Sequence, residues 1–194
     1  MATPTLRLAQ DDDADRMLSR DPLALLIGML LDQQFPMERA FTSPLLLAQR
    51  LDRERLDAAE IAGWDPDAFA KVMAGPPALH RYPGAMAGRV QALSAHVVEK
   101  YGGDAAGLWR TAATGAELLK RVRALPGFGE QKSKIFVALL GKQLDVRPEG
   151  WREAAGPYGL EGSHRSVADV TGSESLAQVR AFKQEAKRAG AKQG

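Results

Sequence analysis

Leu125-Pro126-Gly127-Phe128-Gly129-Glu130-Gln131-Lys132-Ser133-Lys134 is the stretch that decides how this chain is read. It has the form of a short hairpin between two helical segments, with Arg121 and Arg123 before it and Lys132 and Lys134 after it. Gly127 and Gly129 carry no Cβ, so the backbone is free to take positive φ and to approach a partner closely. Pro126 presets the turn and stops the preceding helix. The run Ser133 to Leu140 is expected to be helical, and its first N–H groups then lack partners and point forward, as at a phosphate site. A dinucleotide site would need a preceding strand, a third glycine and a later acid. Gly115 to Ala124 reads instead as helix, with Leu118, Leu119 and Val122 on one face. Spacing alone leaves two readings open: an ordinary turn between packed helices, or a phosphate anchor.

The 194 residues, 45% hydrophobic and 26% charged, are enough to bury a core as one or two small domains. The longest apolar run, Leu23 to Leu31, is too short to span a bilayer. The sequence contains no cysteine, which excludes disulfides, thiol catalysis and thiolate-held zinc or clusters from this chain. No signal-peptide pattern opens it, so the expected location is cytoplasmic, in association with the nucleoid. A net charge of +2 does not by itself argue for nucleic acid. Its distribution says more. Asp11, Asp12, Asp13 and Asp15 form an acidic cluster, read as a solvated face. The tail from Arg180 carries Arg180, Lys183, Lys187, Arg188 and Lys192 against the single acid Glu185.

Along the chain, an irregular start leads into a short helix capped by Asp12 or Asp13. Asp21-Pro22 is a helix start, and Pro22 to Gln34 is apolar nearly all round, which predicts a central, buried helix. Helices are expected at 37–51, 57–63, 65–73, 85–101, 104–109 and 115–123. The main loop runs Gly75 to Gly84. From 142 to 172 the chain is polar and rich in glycine and proline, and a last helix begins at Ser173. No alternating strand pattern occurs, so the expected fold is all-α, with about eight to ten helices and short loops.

Two motifs together carry a resemblance: Asp21-Pro22-Leu23-Ala24-Leu25-Leu26-Ile27-Gly28-Met29-Leu30-Leu31-Asp32-Gln33-Gln34, and Leu125-Pro126-Gly127-Phe128-Gly129. In this order and at this separation they resemble the helix–hairpin–helix DNA glycosylase superfamily, enzymes similar to endonuclease III and the alkyladenine glycosylases. The resemblance implies two helical subdomains: residues 21–140, barrel-like, with the hairpin motif at about 116–140, and residues 1–20 joined with 141–194. It implies a double-stranded DNA partner, damaged or abasic, bound by a monomer. The hairpin N–H groups of Gly127, Phe128 and Gly129 would hold a phosphate, with a monovalent cation at the hairpin backbone, and Gln131, Lys132 and Lys134 lie beside them. Gln34 falls where the family places the side chain that fills the gap left by an extruded base. Arg81, in the loop His80-Arg81-Tyr82-Pro83, is a second strand contact or an ordinary surface residue.

The chemistry implied is hydrolysis of an N-glycosidic bond, in which a carboxylate stabilises the oxocarbenium-like sugar and orients water. Bifunctional members place a lysine two residues after the second hairpin glycine. Gln131 stands there. Lys132, one residue on, is turned by about 100 degrees on a helix, so it is expected to meet phosphate or solvent and lyase chemistry is not expected. The family's aspartate position falls on Pro148, which leaves Asp145 and Glu149 as alternative carboxylates. Trp151 and Tyr158 are candidate stacking partners for an extruded base. The iron–sulfur cluster of some members cannot be held without cysteine, and His80, His96 and His164 are too scattered for a metal triad. Three functions stay open: a monofunctional glycosylase, a non-catalytic binder of distorted or abasic DNA, and a helical protein-interaction module.

Overall fold

The computed structural model describes residues 5–191, and among these the fold is all-α, with an isolated Thr114–Glu149 bridge and no strand. Helix α1 (Asp12–Arg20) is capped by Asp11, whose carboxylate accepts the Ala14 N–H at 2.9 Å, one residue earlier than expected. Asp15 departs further from the sequence reading. It is not part of a solvated acidic face but fully buried, and it accepts the Ala9 N–H at 2.8 Å. That bond ties the segment of Leu6, Leu8 and Ala9 into the core, and burial pushes the Asp15 carboxyl above its ordinary pKa.

Helix α2 (Pro22–Leu31) is the centre of the molecule: every residue from Leu23 to Leu31 is buried. Asp21 caps it twice, with Oδ1 accepting the Leu23 and Ala24 N–H groups, while Oδ2 accepts the Leu56 N–H at 2.9 Å. One carboxylate thus starts the helix and pins a distant loop. The helix stops three residues short of the expected Gln34, because Asp32 leaves helical geometry and Gln34 takes a left-handed φ of 52°.

Helices α3 (Met37–Arg50), α4 (Ala58–Gly63), α5 (Pro66–Ala74) and α6 (Pro83–Tyr101) follow. A Cβ on Gly28 would lie 2.7 Å from the Phe41 ring, so the absence of a side chain there sets how closely α3 approaches α2. After α7 (Gly107–Arg110) and α8 (Gly115–Arg123) comes the hairpin, then α9 (Glu130–Gln143), α10 (Trp151–Ala155) and α11 (Ser173–Ala191). Packing sorts the helices into two groups. In the first, α1 to α3 pack together and α4 and α5 lie on α6; in the second, α8, α10 and the single turns at Gly156–Gly159 and Val167–Asp169 surround α9. The principal neighbours of α1 are α3 and α2.

The polar stretch before α11 is ordered by partly buried hydrogen bonds as well as by apolar burial. Asp169 pairs with Lys142 at 2.6 Å and accepts from Ser163 and the Arg165 N–H. Gln143 donates to the carbonyls of Ala168 and Val170, fastening this loop to α9. Leu176 and Val179 then bury the first half of α11. No described helix is long and apolar enough to cross a membrane.

Candidate functional site

The hairpin joins α8 to α9 and rests against α2. Gly127 has φ 82°, and a Cβ on it would stand 2.4 Å from Leu30 Cδ1, so both backbone and contact require glycine. Gly129 differs from the expectation. Its φ is −76° and nothing lies within 4 Å of where a Cβ would be, so this glycine opens space in front of the helix rather than permitting a turn. The Phe128 N–H is spent inside the hairpin on the Leu125 carbonyl at 3.1 Å, and its ring is buried edge-on to Phe136. Phe128 is therefore a core anchor, not a phosphate donor.

Helix α9 begins at Glu130, three residues earlier than read from sequence. The N–H groups of Gly129, Glu130, Gln131 and Lys132 consequently have no acceptor among the described residues, and neither has that of Gly127 in the hairpin. Ser133, read as the helix start, is buried and its hydroxyl bonds the Gly129 carbonyl at 2.7 Å. The carbonyls of Pro126, Gly127 and Phe128 meet no described backbone donor.

Lys132 goes neither to solvent nor to an outward face. Its ammonium folds back onto the end of α2 and donates to the carbonyls of Met29 (2.5 Å), Leu30 (3.3 Å) and Asp32 (3.3 Å). It satisfies orphan acceptors of the buried helix and opposes that helix's negative end. Burial lowers its pKa to about 8, against the raising influence of Asp32. Lys134 pairs with Glu130 one turn away at 2.9 Å.

Beside this junction lies a cavity of about 660 Å³. The end of α2, the first turns of α9, the loop at Tyr158 and the middle of α11 wall it. Gln34 and Tyr158 line it, and Gln131 donates from its side chain to the Tyr158 hydroxyl at 2.9 Å. Arg165 and Phe182 stand at the α11 side, the guanidinium 5.2 Å above the ring.

The carboxylate in this cavity is Asp32, which the sequence reading passed over. Its side-chain oxygens make no hydrogen bond among the described residues. Burial raises its pKa, opposed first by Lys183 and then by Lys132, and supported by Glu38. Asp145 and Glu149 lie elsewhere. The Asp145 side chain is 85% exposed and pairs with Arg147 at 3.2 Å, and Glu149 is exposed, its carbonyl accepting the Gly115 N–H. Trp151 is buried against Gly141, where a Cβ would meet its ring at 2.3 Å, so it locks α10 onto α9 and does not reach the cavity. Comparison with protein-family models, with curated proteins and with solved structures finds no match to this chain.

On the other side of Gln33 and Gln34, His80 is buried and acts as a brace. It is held between the Gln33 carbonyl (Nε2, 2.9 Å) and the Tyr82 N–H (Nδ1, 3.0 Å), which fits the neutral tautomer protonated on Nε2. Burial lowers its pKa, keeping it neutral. This brace fixes the loop carrying Arg81, which is exposed with its guanidinium 5.4 Å over the Tyr82 ring. Among the described residues no group of three or more His, Asp or Glu is placed to hold a metal ion.

Proposed function

We propose that this protein binds damaged or abasic duplex DNA and acts as a monofunctional DNA glycosylase, with Asp32 in the role first considered for Asp145 or Glu149. The observation that carries the reading is an unbonded carboxylate facing a cavity whose wall is the first turn of the hairpin helix. Free N–H groups at that helix start suit a phosphate, and the helix dipole favours the anion. The left-handed conformation of Gln34 at the cavity edge supports reading it as the side chain that enters the gap left by an extruded base. Tyr158 and Phe182 offer faces on which a base can stack.

In this reading a base rotated into the cavity brings its sugar beside Asp32. As the C–N bond lengthens the sugar gains positive charge, and the Asp32 carboxylate, once ionised, stabilises that charge. Water adds to the sugar carbon, and the base leaves with the bonding pair and a proton. Lys132 does not supply a covalent intermediate, because its ammonium is committed to three carbonyls of α2. Its positive charge, with that of Lys183, holds Asp32 closer to the ionised state.

The test is Asp32→Asn, which keeps the shape and removes the charge. Base release from a panel of damaged duplexes should fall by about 100-fold or more, the usual loss for a charge-stabilising group. Binding to an abasic-site analogue should persist. A wild-type protein that binds the analogue but releases no base supports the non-catalytic reading. A protein that does neither refutes both.

A further inference from the structure

The cavity has two walls of opposite origin. The start of α9 forms one; the other is α11, which contributes Phe182, Lys183 and Ala186. Helix α11 is anchored only along its first half. Leu176 and Val179 are buried, and Arg180 pairs with Glu38 of α3. Beyond Phe182 every residue to Ala191 is exposed, so the second half extends past the core as a free helix. Its large side chains there are almost all polar, and Lys183, Lys187 and Arg188 have no carboxylate partner among the described residues. The helix dipole accounts for a cation in the last turn, which is Arg188. It does not account for Lys187, one turn beyond Lys183 on the same helix face; Lys183 lines the cavity with Arg165, where its charge acts on Asp32, and Lys187 stands outside that lining.

We infer that the exposed half of α11 is a second phosphate-binding arm, in which Lys183 and Lys187 grip the nucleic-acid backbone across the cavity from the hairpin. This rests on the DNA-binding reading above. Three observations converge on a nucleic-acid backbone as the occupant: unpaired positive charge, continuity with a cavity lined by the hairpin helix, and the lack of any large apolar side chain on the free half of the helix. A membrane-binding helix would need such side chains for insertion. Phe182, the one aromatic residue of α11, is turned into the cavity under Arg165. Two phosphate contacts set on opposite walls fix the direction of the strand over the cavity, which one anchor at the hairpin cannot do.

The experiment measures affinity for an abasic-analogue duplex as a function of salt. Variants are wild type, Lys187→Glu, the double variant Lys183→Glu/Lys187→Glu, Lys187→Arg and the charge-matched control Lys71→Glu. Lys71 lies exposed on α5 and lines none of the cavities. Each lost phosphate contact lowers the slope of log affinity against log salt by about 0.9. Lys187→Glu should lose about one such increment and the double variant about two, while Lys187→Arg and Lys71→Glu keep the wild-type slope. If Lys71→Glu weakens binding as much as Lys187→Glu, the effect is net charge and the arm is refuted. If the variants lose affinity for phosphatidylglycerol vesicles but not for DNA, the surface is a lipid-binding one and the arm is likewise refuted. If wild type binds no DNA, the arm falls together with the functional reading. If wild type binds and the α11 variants match it, the arm alone falls.

Discussion

Lys132 shows how far one side chain departs from what its position on a helix suggests. Periodicity fixes where its Cα–Cβ bond points, and one residue past Gln131 that direction is turned by about 100 degrees. The four-carbon stem undoes the inference, because it reaches back to the bare carbonyls at the end of α2. The same contact has a consequence for pH. In the unfolded chain the amine titrates near its ordinary value of about 10.4. In the folded protein burial lowers it to about 8. Between those values the unfolded chain holds a proton that the folded one has released, so stability rises with pH across that window. The cost is fully present below about pH 8. Lys132→Met removes the titration. Measured by urea unfolding, wild type should therefore gain on the variant between about pH 8 and 10.4, by on the order of 3 kcal/mol. Stability curves that run parallel through that range would show that the ammonium is not buried as described. Asp32 was hidden in the sequence for a related reason. It reads as one polar residue after an apolar helix, and the side chains that desolvate it come from α9 and from α11, far along the chain.

At the scale of elements, α2 and α8 were legible because their signals are local. Asp21-Pro22 starts one and Thr114 caps the other, its hydroxyl accepting the Glu117 N–H at 3.1 Å. The start of α9 was not. Ser133 looks like an N-cap, yet in the helix it bonds back to the carbonyl four residues earlier, and Gly129 takes the cap position with no side-chain bond. That shift changes which glycine matters to what. Gly127→Ala must place a methyl at positive φ and into Leu30, so it should destabilise by about 3 kcal/mol, reading the strain and overpacking costs together. Gly129→Ala meets open space at an ordinary φ and should cost about 1 kcal/mol or less, the difference between glycine and alanine at a cap. Yet Gly129→Ala adds bulk beside the free N–H groups of α9, so it should weaken duplex binding well beyond its effect on thermal stability. Undiminished affinity in a folded Gly129→Ala protein would remove the hairpin as the phosphate anchor.

At the scale of the molecule, the all-α class followed from the absence of alternating patterns and from the spacing of caps, but the arrangement of helices did not. The packing of α1 on α2 and α3 depends on Asp15 and Ser19 holding the segment before it, Ser19 accepting the Leu6 N–H at 3.0 Å, and a local pattern cannot carry such contacts. The cavity likewise exists only where the two helical groups meet. What the finished surface shows bears on assembly. Among the described residues the large apolar side chains left exposed are Tyr82 and Leu160. They are far apart in sequence, and stable self-association needs a contiguous apolar patch of several hundred Å², which two isolated side chains do not make. The positive charges of α11 add repulsion between copies that would meet through that helix. Light scattering after size exclusion should therefore give the chain mass of 20.9 kDa at micromolar concentration. With an abasic-analogue duplex it should give one protein per lesion. A mass twice that value in the free protein would mean that a solvent-exposed face of the monomer is an interface.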